Sequence, residues 1–334
     1  MNEQEYIQPK AGSSNGWKKI IQANLNNCIS ETNLEGIGKK LEGKVRDIYD
    51  AGDKMVFITT DRQSAFDRVL ALVPFKGQVL NEVSAWWFEQ TKDIIPNHVI
   101  SVPDPNVTVG KKCKVFPVEV VVRGYLTGST ETSAWTLYEK GERNLGGNVV
   151  PDGMMKNTKF ETPIITPTTK DEHDENIEIN DVPRRCEVPE EKWETIKVKA
   201  LEVFQRGMEL AKKNGMILVD TKYEFGEDED GNLLLIDEIH TPDSSRYWLA
   251  ETYEGNIAEG KEPDNIDKEF LRLWFKENCD PYKDEVLPKA PDELIVELAY
   301  RYITLYEKIT GLKFKFPEEG KNIQERIQDN LKDI

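Results

Sequence analysis

Asp220, Lys222 and Glu224, set two apart in the stretch VDTKYEFG, are the densest chemical signal in this 334-residue chain. On an extended strand alternate side chains share a face, so these three point one way while Val219, Thr221, Tyr223 and Phe225 point the other. A second run, LLLIDEIH, brings Asp237 and Glu238 to the end of an apolar stretch, with GEDEDG between the two runs as a hairpin turn. Paired antiparallel, the strands bring Glu224 and Asp237 within reach of each other. Close carboxylates repel unless protonated or bridged by a cation, and hard oxygen donors of this kind suit Mg²⁺ held jointly with phosphate. A solvated acidic face is the plain alternative, but it explains poorly why a lysine stands between two acids beside continuous apolar residues, where unpaired charge is costly. Downstream, HTPDSSRYW offers Asp243, Ser244, Ser245 and Arg246 to orient a polar or anionic ligand.

Other segments offer anion sites. Gly38 to Lys44 satisfies GxxxxGK, yet Val45 follows where a P-loop needs Ser or Thr for magnesium, and the next residues alternate like a strand where that loop needs a helix. What survives is a glycine-containing hairpin that lays Gly43, Lys44 and Arg46 over phosphates, the two cations sharing one strand face; ordinary exposed cations are the alternative. RGYLTGS places Arg123 at the end of a buried-looking strand, with Gly124, Gly128 and Ser129 permitting close backbone approach to a phosphate, or simply forming a turn. TTDRQSAFD puts Asp61, Arg62, Ser64 and Asp67 after a strand, either as functional groups on a loop or as a helix cap through Asp61 or Ser64. In TPTTKDEHDEN, Lys170, Asp171, His173 and Asp174 cluster, but His173 has no second histidine at a ligand spacing, which argues against zinc.

The elements that must carry these groups read as strands early and late with helices packed outside them, which is α+β. KVRDIY and KMVFITT flank a turn at Asp50 to Asp53; CKVFPVEVVVRG, Cys113 to Gly124, reads as one strand buried on both faces; and Thr162 to Glu191 reads as an extended loop or a set of short turns. Helices are expected over Val79 to Ile95, about Glu190 to Asn214 with Gly215 beyond its end, and DELIVELAYRYITLYEKIT before Gly311. The 44 basic and 61 acidic side chains give a net charge of −17, which disfavours a sequence-independent nucleic-acid binder. Residues 171–191 hold nine acids against two arginines, and 220–246 nine against Lys222 and Arg246. The acidity is thus concentrated in the two stretches that also hold candidate site residues. Four dispersed cysteines, no export signal and no apolar run of membrane-spanning length lead to the expectation of a cytoplasmic protein with reduced thiols.

In order, GKVRDIY, TTDRQSAFD, EVVVRGYLTGS, KDEHDEN, VDTKYEFG and IDEIHTPDSSRYW closely resemble the SAICAR synthetase (phosphoribosylaminoimidazole-succinocarboxamide synthase) family, over about Gly43 to Trp248. The resemblance implies a purine-biosynthesis ligase that joins L-aspartate to the carboxylate of 5-amino-1-(5-phosphoribosyl)imidazole-4-carboxylate (CAIR), with ATP as co-substrate and Mg²⁺ as cofactor. It implies a fold similar to ATP-grasp enzymes, with ATP between two subdomains, here expected at 1–118 and 119–334, in a monomer or small homo-oligomer that takes small molecules and neither membrane nor nucleic acid. By the same match, Gly43, Lys44 and Arg46 would form a phosphate lid, and Glu119 and Val121 would meet adenine through backbone groups. Arg123, Ser129, Asp220, Lys222 and Arg246 would engage the ribonucleotide, and Glu224 and Asp237 would hold magnesium. Lys44, Asp220 and Lys222 would carry the chemistry. Lys170, Asp171 and Asp174 are candidates for the aspartate subsite.

Overall fold

The structure, a computed structural model, describes residues 14–66, 68–170, 175–265, 269–318 and 320–332. Its backbone contacts divide the chain into two units, one of Met1–Ala85, Val99–Lys111 and Ile266–Ile334, the other of Trp86–His98 and Lys112–Asn265. This differs from a single cut between 118 and 119, because the C-terminal helices group with the N-terminal strands.

In the first unit, β1 (Lys39–Glu42), β2 (Arg46–Asp50) and β3 (Lys54–Thr59) run antiparallel, β4 (Arg62–Ala65) and β5 (Arg68–Leu72) form a separate ribbon, and β6 (Val99–Asp104) and β7 (Val107–Lys111) complete a five-stranded sheet in the order β1-β2-β3-β7-β6. The expected turn after Asp50 is present, with Gly52 at φ +92° and Ala51 N donating to Lys54 O. Tyr49, Val56, Ile58, Val107 and Val109 from the sheet bury against Ile323, Ile327 and Leu331. The helix Ile323–Asn330 is capped by Asn322, which accepts from Gln324 N and Glu325 N. Eight residues are too few to sustain a helix in water; buried apolar side chains worth about 1.5–3 kcal/mol each hold it. The helix Asp292–Thr310 ends, as its sequence indicates, with Gly311 in the left-handed region.

In the second unit, β8 (Lys114–Val115), β9 (Val118–Tyr125), β12 (Lys159–Ile165), β13 (Thr168–Thr169), β14 (Met216–Glu227), β15 (Leu233–Ile236) and β16 (Ser245–Leu249) make a seven-stranded sheet whose spine is β12-β9-β14-β15; β10 (Asn144–Leu145) and β11 (Asn148–Val149) form a ribbon. Two expectations are corrected. The Cys113 to Gly124 strand breaks at Phe116 and Pro117, where proline has no N–H to donate. The Thr162 to Glu191 stretch is not all loop: β12 runs to Ile165, β13 follows, and Val182–Arg185 is a helical turn. The strand character there comes from pairing with β9, which sequence periodicity does not report. The helix Glu190–Lys213 buries Trp193, Ile196, Ala200, Phe204 and Ala211 along one face, as its 3.6-residue spacing requires.

Candidate functional site

β14 lies between β9 and β16 over Asp220 and Thr221, and its register places Asp220 opposite Arg123 on one side and Arg246 on the other. Cross-strand neighbours of opposite charge attract. Asp220 Oδ2 lies 3.8 Å from Arg123 Nη1 and 3.4 Å from Arg246 Nη1. These are ion-pair distances, and that oxygen makes no hydrogen bond among the described residues. Arg123 is buried, its Nε donating to Thr166 Oγ1 at 2.7 Å. Burial, with Arg246 adding to it and Asp220 opposing, holds its guanidinium below the usual arginine range. The same side chain lines a cavity of about 200 Å³ with Thr166, Asn176 and Glu178, where Asn176 Oδ1 is buried without a hydrogen-bond partner among the described residues. Buried polar atoms left this way suit a polar guest.

One step along β14, Lys222 Nζ donates to Glu119 Oε1 at 2.6 Å. Although burial opposes its charge, Glu119, Asp237 and Glu224 together push the Lys222 ammonium above the usual lysine range. Two residues further, Glu224 sits opposite Ile236, the last residue of β15, and Asp237 follows just beyond it. Burial first, and then the Asp237 charge, raise the Glu224 carboxyl, while Lys170, which donates a hydrogen bond to Glu224, and Lys222 oppose that rise. Asp237 itself has φ +68°, outside the strand. Among the described residues, no group of three or more His, Cys, Asp or Glu side chains is placed to hold a metal. The Glu224 and Asp237 pair nevertheless has the hard oxygens and mutual repulsion that one small divalent cation relieves, if phosphate completes the coordination.

The RGYLTGS glycines have unlike roles. A Cβ on Gly124 would lie 3.3 Å from both the Phe204 ring and Val219 O, so this glycine serves helix-on-sheet packing, not ligand approach. At Gly128, φ +114°, a Cβ would lie 2.3 Å from Ser133 Cβ and 3.2 Å from Arg246 Nη1, so only glycine lets the loop pass there, with Ser129 exposed beside it. Glu119 and Val121 belong to an interior strand: Glu119 pairs with Thr168, and Val121 O accepts from Thr166 N while Val121 lies opposite Lys222. Backbone contact with adenine there would compete with ladder bonds already formed. Asp171, His173 and Asp174 fall outside the described residues, and Asp67 does too.

In the first unit, Gly43, Lys44 and Val45 form the turn between β1 and β2, Gly43 and Lys44 being exposed. Lys44 is thus a turn residue, and the expected shared strand face with Arg46 does not apply. Of the two readings of TTDRQSAFD, Asp61 takes the cap: Oδ1 accepts from Gly77 N in the first turn of the helix Lys76–Thr91, and Oδ2 from Ile29 N. Burial raises its carboxyl to about 6 against these hydrogen bonds. Arg62 and Ser64 lie in β4, and the Arg62 guanidinium donates to carbonyls of the 43–45 turn.

What sequence reasoning missed was Glu119 as the side-chain partner of Lys222 and Lys170 as that of Glu224. A signal for the first exists, since Glu119, Val121 and Arg123 alternate as Asp220, Lys222 and Glu224 do, and two such stripes on paired strands must meet. The second crosses 54 residues and has none.

A family model described as SAICAR synthetase matches residues 39–289. The chain is 58% identical over 305 residues to the phosphoribosylaminoimidazole-succinocarboxamide synthase of Legionella pneumophila (strain Lens), an alignment covering 91% of this chain and 97% of that one. It is also 58% identical over 315 residues to the chloroplastic synthase of Arabidopsis thaliana, covering 93% and 77%. Among solved structures it resembles SAICAR-synthase from Saccharomyces cerevisiae complexed with SAICAR, with TM-score 0.75 and 32% identity over 86% of this chain and all of that one. It also resembles a SAICAR synthetase in complex with ADP, with TM-score 0.63 and 25% identity over 83% of this chain and all of that one.

Proposed function

The chain belongs to the SAICAR synthetase family, and from that premise we propose how its residues divide the reaction. The enzyme ligates CAIR and L-aspartate at the expense of ATP, in purine biosynthesis. A carboxylate is a poor electrophile. The proposed path therefore transfers the ATP γ-phosphoryl group to the CAIR carboxylate, giving an acyl phosphate and ADP; the aspartate amine then attacks that carbonyl, the C–N bond forms, the C–O bond to phosphate breaks and the amine gives up a proton. Phosphoryl transfer needs positioning and charge compensation more than covalent help.

The observation that carries the reading is the charged stripe on β14, Asp220 between two arginines and Lys222 among three carboxylates. Arg123 and Arg246 bind the anionic groups of the ribonucleotide, with Ser129 at the loop beside them. Asp220 keeps the two guanidinium groups in place at ion-pair distance without occupying their donors. Lys222 offsets charge on the reacting carboxylate and the incoming phosphoryl group. Glu224 and Asp237 would hold Mg²⁺, which supplies charge neutralisation at the phosphates when bound. Lys170, at present the counter-charge to Glu224, is the described member of the aspartate subsite; Asp171 and Asp174 are its other candidates. In the first unit, the turn of Gly43 and Lys44, with Arg46, takes the ATP phosphates. Glu119 and Val121, with their backbone committed to the sheet, would meet adenine through packing. Cytoplasmic action goes with four cysteines dispersed along the chain, and no helix among the described residues is long and apolar enough to cross a membrane.

The test supplies ATP, Mg²⁺, L-aspartate and CAIR and measures ADP together with SAICAR. Equal amounts of both support the reading; ADP without the conjugate overturns it.

A further inference from the structure

The turn proposed to take ATP phosphates is held from behind by one short segment. Arg62 Nη2 donates to Gly43 O at 2.8 Å and Nε to Lys44 O at 3.1 Å. Thr60 donates to Val45 O twice, from its backbone N at 3.0 Å and from Oγ1 at 2.8 Å. Three consecutive carbonyls of an exposed turn are therefore tied to residues 60–62. The clamp is itself anchored. Arg62 is 5% exposed, its Nη1 and Nη2 each lie 3.0 Å from Asp47 Oδ1, and Nη1 also donates to Ser30 O. Asp47 is fully buried and accepts from Thr32 N and Oγ1 through its other oxygen.

In a planar trans peptide the N–H points opposite to the C=O. Tying the carbonyls of Gly43 and Lys44 to Arg62 consequently directs the N–H groups of Lys44 and Val45 to the face of the turn away from the guanidinium. Successive amides aimed one way form an anion-binding concavity. Only a guanidinium has donors enough, in a rigid fork, to reach two backbone carbonyls of the turn, a third outside it and a carboxylate at once; an ammonium on a flexible stem does not reproduce this.

We propose that Arg62 is a positioning residue for the ATP phosphates: it touches no nucleotide, and it pre-sets the Gly43–Val45 turn so that its amides and Lys44 need not be ordered when ATP binds. This deepens the reading of the turn as the phosphate element and rests on it. Ordering two turn residues at binding would weaken ATP by up to about 30- to 1,000-fold, on the usual scale of backbone entropy.

The experiment measures dissociation constants of ATP and of adenosine by calorimetry, with Mg²⁺ present, for the wild type, Arg62→Lys, Thr60→Val and Lys44→Ala, alongside KM for aspartate. Arg62→Lys is expected to lower the preference for ATP over adenosine about 10- to 100-fold, within the cost of ordering the turn, with adenosine affinity and the aspartate KM unchanged. Thr60→Val is expected to lower that preference several-fold. A merely structural role would weaken both ligands alike or neither, and either result overturns the proposal. If Arg62→Lys does not fold, Thr60→Val decides: an unchanged preference sinks the brace. If Lys44→Ala keeps the full preference, the reading of the turn itself fails and the brace falls with it; a preference lost in Lys44→Ala but kept in Arg62→Lys overturns the brace alone.

Discussion

Glu224 and Asp237 repel each other at the open end of a hairpin, and the two lysines beside Glu224 offset only part of that repulsion. Asp237→Asn should lower kcat by orders of magnitude, because a magnesium ligand loses its charge; near-normal turnover in a Mg²⁺ titration would remove Asp237 from the metal role. The same variant has a pH consequence. A cation binds the ionised form, so Mg²⁺ affinity falls as acid protonates Glu224, whose carboxyl is raised by burial and then by Asp237. With Asp237 neutral the second push is gone, and the acid limb of the affinity profile should move to lower pH. An unmoved limb would mean that the two carboxylates do not interact. Lys222→Met should depress kcat far more than it depresses Tm; a variant that loses cooperative unfolding would point to a structural role instead. At this scale the β14 stripe was legible, since period-2 alternation needs only adjacent residues. Lys44 reads as a strand residue in sequence, because a turn of three residues with a single glycine interrupts no pattern, and the structure places it in the turn.

The helix Glu190–Lys213 was legible from its spacing, yet Gly207 in its interior is not explained by helix formation, where glycine costs about 1 kcal/mol against alanine. A Cβ there would lie 2.5 Å from His240 Cε1 and 2.7 Å from Leu218 Cδ2. The space is reserved for a buried imidazole that lies 2.5 Å from Tyr223 OH through Nε2 and meets the Trp87 ring edge-on. Burial lowers the His240 pKa to about 3, so it is neutral at physiological pH. Gly207→Ala is therefore expected to destabilise by about 1–3 kcal/mol, the overpacking range, despite the better helix former. The midpoint of urea unfolding measures it; a rise in the midpoint would show that the imidazole can move aside. The turn beyond β15 should feel the change as well, because Asp237 and His240 both sit at positive φ and Tyr247 OH donates to His240 O. None of this was readable in the sequence, since Gly207 and His240 meet only once helix and hairpin are packed. The strand break at Pro117, by contrast, had a signal in the proline itself.

Over the whole molecule, the least legible feature was which ends of the chain belong together. Strands early and late with helices packed outside them indicate α+β, but a chain read left to right groups the last helices with the sheet before them. What draws Ile323–Asn330 to the N-terminal strands is a set of contacts across more than 200 residues. Arg326 Nε and Nη2 lie 2.9 and 3.0 Å from the two oxygens of Asp104, Nη2 also donates to Asn106 Oδ1 at 2.6 Å, and Asn330 donates to Asp104 at 2.8 Å. Both charged groups are buried, Arg326 at 5% and Asp104 at 1% exposure. Such a pair adds little net stability over an apolar substitute, but removing one partner leaves the other charge buried and uncompensated. Arg326→Met should accordingly cost about 3–5 kcal/mol, the range for a broken buried pair. Asp104→Asn combined with Arg326→Met should recover part of that loss, because no lone charge remains. Chemical unfolding of the single and double variants measures the difference. If the double variant is as unstable as the sum of the two singles, the loss lies in packing of the helix and not in the stranded carboxylate, and the anchor is apolar: Ile323, Ile327 and Leu331 alone would then tie the end of the chain to its beginning.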